Sequence, residues 1–160
     1  MGNFKKDNMT EFIKTPVKLG EFMVEKSKEY FNNIEEIIDV CAGDGALTDV
    51  IERYYDIPVL KYDIEPRRED IIEMDFTKGW KKIGYKKNRL IIINPPFNKT
   101  LKFIYKSLEI SDYVVSLGGS NSLVNFKWDE YDVLESFLIK KQYFNDDITM
   151  DISMFVIKNK

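Results

Sequence analysis

Apolar runs alternate with amphipathic stretches along this chain, and the alternation predicts strands and helices in turn. Leu19, Phe22, Met23 and Tyr30 recur at helical spacing and predict a helix over 18–31. A strand is expected over 36–41, then a glycine turn and a helix over 46–55. Second and third strands are expected over 58–62 and 70–74. The unbroken run Leu90-Ile91-Ile92-Ile93 predicts a buried fourth strand over 89–93. A helix over 101–108, a fifth strand over 113–117 and a helix over 130–137 follow. Two last strands, 139–144 and 152–157, are expected to close the sheet as a hairpin. The polar residues 1–10 read as a flexible N-terminal arm, and 11–160 as one domain.

Strands that alternate with helices argue for an α/β fold: a mostly parallel seven-stranded sheet, an antiparallel terminal hairpin and helices on both faces. Ligands of such sheets sit beyond the carboxyl ends of the strands. The chemistry-bearing residues of this chain cluster at those ends.

Asn94-Pro95-Pro96-Phe97 follows the fourth strand directly. The prolines fix φ and hold Asn94 extended. The Asn94 side-chain oxygen and the Pro95 carbonyl can then accept hydrogen bonds from both N–H groups of a planar amine. Such an amine is a poor nucleophile while its lone pair is delocalised into a ring. Two fixed acceptors make the nitrogen more tetrahedral and free the pair, without reorganisation during reaction. Phe97 offers a face on which a base can stack. A bare turn after a strand would also explain the tetrapeptide, so the upstream segments matter.

The first strand runs into Asp39-Val40-Cys41-Ala42-Gly43-Asp44-Gly45. Gly43 and Gly45 suit a sharp turn with close backbone approach to a ligand, and the following helix starts with free N–H groups. Asp39 is either a cap or a ligand to an amino group. Asp63 lies 18 residues past Gly45. An acid roughly 20 positions after a glycine turn commonly binds ribose hydroxyls. Ile64 can pack on an adenine face, and Asp75-Phe76 is placed to meet the adenine amino group and ring.

Taken together, these blocks resemble the S-adenosylmethionine-dependent methyltransferases of Rossmann-like fold, and more closely the DNA adenine-N6 methyltransferases. Lys14-Thr15-Pro16-Val17-Lys18-Leu19 is similar to the Thr-Pro segment of that family, and Asp39 to Gly45 to its glycine loop. Asp63 and Asp75-Phe76 are similar to its ribose and adenine contacts, and Asn94 to Phe97 to its catalytic tetrapeptide. The resemblance implies that Thr15 and Pro16 contact the methionine moiety of the cofactor. It implies further that Cys41, Ala42, Gly43 and Gly45 line it, beside Asp39, Asp63, Ile64, Asp75 and Phe76. It implies transfer of the methyl of S-adenosylmethionine to adenine N6 in DNA, with S-adenosylhomocysteine as product. The base would be flipped into a pocket at Asn94, Pro95, Pro96 and Phe97. No metal is required.

Two departures qualify the resemblance. Asp44 stands where many relatives carry Thr or Ser. Only 63 residues follow Phe97, so a separate target-recognition domain is not expected. Specificity then comes from short loops, from a protein partner or second copy, or the substrate is not duplex DNA. RNA-base methylation, protein-glutamine methylation and a noncatalytic cofactor-binding subunit are the alternatives.

Composition narrows the classes. The chain has no histidine, which excludes His catalysis and His metal ligation, and its one cysteine excludes an internal disulfide and fits a reducing compartment. No apolar run approaches the roughly 20 residues of a membrane span, and the N-terminus lacks an apolar signal core. A cytoplasmic protein without a membrane partner is expected. A net charge of −3 gives no support for strong nonspecific nucleic-acid binding. Lys99, Lys102 and Lys106 recur on one expected helix after the tetrapeptide and are the best-placed phosphate contacts. The basic residues between Lys78 and Arg89 read as a solvated loop. Phe126 and Trp128, beyond Gly118-Gly119, either pack on the core or stack on a nucleic-acid strand.

Overall fold

A computed structural model describes residues 14–140 and 151–160. The expected arm at 1–10 and part of the expected strand at 139–144 lie outside the described residues.

The sheet has the order β3-β2-β1-β4-β5-β7-β6. Its strands are β1 (Glu36–Asp39), β2 (Val59–Asp63), β3 (Ile72–Glu73), β4 (Arg89–Ile93), β5 (Tyr113–Gly118), β6 (Tyr131–Ile139) and β7 (Ile152–Asn159). The first five run parallel, while β7 is antiparallel to both β5 and β6. This is the expected α/β class, a mostly parallel sheet with an antiparallel end.

Alternation along β4 explains its unbroken apolar run. Leu90 and Ile92 face one core with Ile37, Val115 and Val156, under helices α1 (Val17–Tyr30) and α2 (Ala46–Tyr54). Ile91 and Ile93 face the other with Ile38, Val114 and Ile157, under α3 (Phe76–Ile83) and α4 (Thr100–Ile110). A strand buried on both faces has no polar side to show.

Three sequence expectations are corrected. The stretch 130–137 is strand, not helix: β6 covers Tyr131–Ile139. Its apolar residues Tyr131, Leu134, Phe137 and Leu138 imitate helical spacing because a bulge between Val133 and Glu135 breaks the strand alternation. The basic segment after Lys78 is not a loop throughout, because α3 occupies its first half. Asp75 caps that helix by accepting from the Thr77 N–H at 3.0 Å. Arg89 is not solvated; it is 5% exposed and bound to Glu36, its register partner on β1. Residues 119–130, between β5 and β6, form turns and no helix.

The candidate active site at the strand reversal

The strand order reverses between β1 and β4, which are neighbours although two strands and two helices separate them in sequence. Loops leaving such neighbours in opposite directions open a crevice at their carboxyl ends. The glycine loop leaves β1 there, and the Asn94 tetrapeptide leaves β4.

Positive φ angles at Gly43 (56°) and Gly45 (85°) make the first turn. Asp63, at the end of β2, fastens it: one carboxylate oxygen accepts from Gly43 N at 2.8 Å and the other from Glu65 N at 2.7 Å. Asp44 accepts from Ala46 N at 3.0 Å and so caps the start of α2. Its other oxygen lies 3.8 Å from Lys14 Nζ. The Asp44 carboxylate is therefore engaged by the chain itself. The Arg68 guanidinium lies against Gly45, where any side chain would collide with it, and binds Asp49 at 2.9 Å and Asp70 at 2.6 Å. The positive φ of the turn is what requires glycine at 45, since the arginine end could move aside.

Asp39 is fully buried. One oxygen accepts from Cys41 N at 2.9 Å; the other has no partner. Burial, reinforced by the charge of Asp63 and opposed by the Cys41 N–H, pushes its carboxyl up to about 8. Burial and the charges of Asp39 and Asp63 also push the Cys41 thiol well up, which favours its protonated form. An unpartnered buried carboxyl beside a ligand crevice suits a cationic or N–H-bearing group.

Beyond β4, Pro95 is buried, Pro96 exposed and Phe97 half-buried against the α1 side of the core. A single 3-10 turn, Phe97–Lys99, leads into α4. Asn94 Nδ2 donates to Thr15 Oγ1 at 3.1 Å. Thr15 is 6% exposed and sits just ahead of α1, so the Thr-Pro segment and the tetrapeptide meet across the crevice.

The remaining candidates occupy distinct places. Ile64, directly after β2, is 62% exposed. Asp75 is the α3 cap, and its Thr77 hydroxyl bond, against the effect of burial, holds its carboxyl below the ordinary value. Phe76 is 2% exposed and packs on Phe103, so its ring belongs to the core. Among the lysines, Lys102 is exposed, while the Lys106 ammonium rests on the Trp80 ring, 3.0 Å from its centre. Burial lowers the pKa of Lys106, aided by Lys102. Phe126 is buried and Trp128 exposed, with their rings in edge contact 5.1 Å apart. Sequence reasoning missed Arg68 and the capping role of Asp75. An Asp directly before an amphipathic run was the available signal for the second.

Neither a protein-family model nor a curated protein matches the chain. Solved structures match its fold. A candidate RNA methyltransferase from Pyrococcus horikoshii superposes with a TM-score of 0.71 at 16% identity, covering 93% of this chain and 87% of its own. A methyltransferase subunit of a type I restriction-modification system from Streptococcus thermophilus gives a TM-score of 0.69 at 9% identity. That match covers 92% of this chain but 45% of the subunit. A candidate methyltransferase from Streptococcus mutans, in complex with S-adenosylhomocysteine, gives 0.56 at 18% identity over 92% of this chain and 99% of its own. The fold is the Rossmann-like fold of class I methyltransferases. No helix among the described residues is long and apolar enough to cross a membrane.

Proposed function

We propose that the chain is an S-adenosylmethionine-dependent methyltransferase acting on adenine N6 in DNA. The observation that carries the reading is the meeting of Asn94 and Thr15 where the strand order reverses, beside the glycine loop. In this reading Thr15, Pro16 and Asp39 hold the amino-acid end of the cofactor. Cys41, Ala42 and Gly43 line it, Asp63 takes the ribose hydroxyls, Ile64 covers the adenine, and Asp75 accepts from its amino group. The bound cofactor supplies an electrophilic methyl on a sulfonium. Asn94 Oδ1 and the Pro95 carbonyl accept the two N–H groups of the target, which leaves its lone pair facing the crevice. Phe97 stacks on the flipped base. Lys99 and Lys102 meet phosphates of the flanking strand, and Lys106 keeps its place on Trp80.

The fit of the cofactor is supported by the orphaned Asp39 oxygen and by Asp63. A carboxylate accepting two backbone N–H groups retains lone pairs for hydroxyl donors. Asp63→Ala removes that acceptor and also unfastens the glycine loop. A charge-assisted bond contributes about 1.5–3 kcal/mol, so affinity is expected to fall roughly 10- to 100-fold. Calorimetric titration with S-adenosylhomocysteine measures this, and unchanged affinity would remove Asp63 from the site.

RNA is the second reading, favoured by the Pyrococcus horikoshii neighbour, which matches most of both chains. A second subunit that supplies target recognition is in keeping with the restriction-modification neighbour. Nucleoside mass spectrometry on DNA and RNA from a methylation-deficient host expressing the chain tests the proposal. N6-methyladenine in DNA, absent with Asn94→Ala, is the expected result. Its appearance in RNA alone would move the substrate, and its absence from both would overturn the nucleic-acid reading for the isolated chain.

A further inference from the structure

We propose that Thr15 is a positioning residue for Asn94, and that its hydroxyl hands the polarity of the bound cofactor on to the acceptor amide. The inference rests on the function proposed above and extends it to the order of events.

A carboxamide has two faces of opposite sense. Its oxygen accepts, its nitrogen donates, and a half-turn about the last bond exchanges them. Only the oxygen-outward state serves an incoming amino group. The other state would set N–H donors against the N–H groups of the target. Asn94 therefore needs a partner that selects one state.

Thr15 Oγ1 is placed to do so, 3.1 Å from Asn94 Nδ2. A hydroxyl both donates and accepts, so its own proton decides which atom of the amide it prefers. The cofactor fixes that proton. Its amino-acid end carries an ammonium and a carboxylate. Asp39, an acid with an unpartnered buried oxygen, is the natural partner of the ammonium. The carboxylate is left for a donor. A Thr15 hydroxyl donating to it turns its lone pairs to Asn94, which must then present nitrogen to Thr15 and oxygen to the target. The sequence is donor to acceptor throughout: Thr15 O–H to the carboxylate, Asn94 N–H to Thr15, target N–H to Asn94. Binding of the cofactor thus prepares the site for its second substrate.

Placement limits what Thr15 can do otherwise. It is 6% exposed, ahead of α1 and 79 positions from Asn94 in sequence, so no neighbouring turn needs the contact for its own geometry.

The test compares wild type, Thr15→Val and Thr15→Ser. Valine keeps the shape and removes the hydroxyl; serine restores it. At saturating cofactor, Thr15→Val is expected to lose about 10- to 100-fold in kcat, less than removal of a direct contact costs, and Thr15→Ser to recover most of the loss. A raised cofactor KM with unchanged kcat would overturn the proposal and leave Thr15 a cofactor contact only. The second measurement needs no turnover. In the S-adenosylhomocysteine complex of the wild type, one Asn94 side-chain amide proton should exchange slowly by NMR. In Thr15→Val that protection should fall, and equal protection in the two proteins would also overturn the proposal. Should the wild type methylate no nucleic acid, the function proposed above fails, while the amide protons still decide whether Thr15 holds the Asn94 amide.

Discussion

Asn94→Ala is expected to lower kcat by about 10²- to 10³-fold, the usual cost of deleting one preorganised polar contact to a reacting group. Cofactor affinity should stay within about threefold, because the cofactor contacts lie in other segments. The two readouts separate because Asn94 leaves β4, whereas the glycine loop leaves β1 and Asp63 leaves β2. Alanine keeps the extended backbone between Ile93 and the prolines, so the strand end should stay in place. Single-turnover transfer from labelled cofactor measures the first effect and calorimetry the second. Turnover near the wild-type rate would end the assignment of the tetrapeptide as the catalytic site. A parallel loss of cofactor binding would move Asn94 from catalysis to cofactor support.

Arg89→Ala should cost about 3–5 kcal/mol of stability, the range for removing one member of a buried ion pair. Arg89 lies at the opposite end of β4 from Asn94 and donates to Glu36 Oε1 at 2.7 Å. It also donates to the carbonyls of Gly84 at 2.6 Å and Ile110 at 2.8 Å. One side chain thus joins the start of β1, the end of α3 and the end of α4. Alanine would leave a buried carboxylate and two carbonyls without this donor. Lys86, at 3.1 Å from Glu36 Oε2, compensates the charge only in part. Urea denaturation at neutral pH measures the loss, and a change below about 1 kcal/mol, the scale of an exposed pair, would show that the pair is not needed.

The pH dependence of that loss follows from Glu36. Burial alone would raise its carboxyl, but hydrogen bonds from Arg89 and Lys86 outweigh burial and hold it below its ordinary value. A lowered pKa in the folded state means stabilisation that is complete above the unfolded carboxylate value of about 4.3 and lost as pH falls through the folded one. The gap between wild type and Arg89→Ala should therefore narrow in acid. A constant gap would assign the loss to the orphaned carbonyls.

Elements whose cause is local were legible in the sequence. The β4 run and the fifth strand lie where the periodicity put them, because strands buried on both faces are mostly apolar, and the glycine turn lies where its glycines put it. Helix α3 was hidden by its lysines, although Phe76, Trp80 and Ile83 form a helical stripe on its buried side. β6 was misread because its bulge shifts the alternation in mid-strand. Arg89 looked like one more surface cation, since nothing nearby in sequence announces Glu36, 53 positions away. For the candidate site, the residue types were legible and their contacts were not. The Thr15–Asn94 bond depends on how α1 docks against the sheet, and no local pattern encodes that docking.

The position of β7 bears on how the chain comes to be folded. It follows β6 in sequence, yet it lies inside the sheet, hydrogen-bonded to β5 on one side and β6 on the other. On the ribosome, β1 to β5 can pair as they emerge, while β6 waits for a neighbour that has not been made. Synthesis and assembly therefore run out of step here, and β5 and β6 each keep an unpaired edge until the residues of β7 have been made.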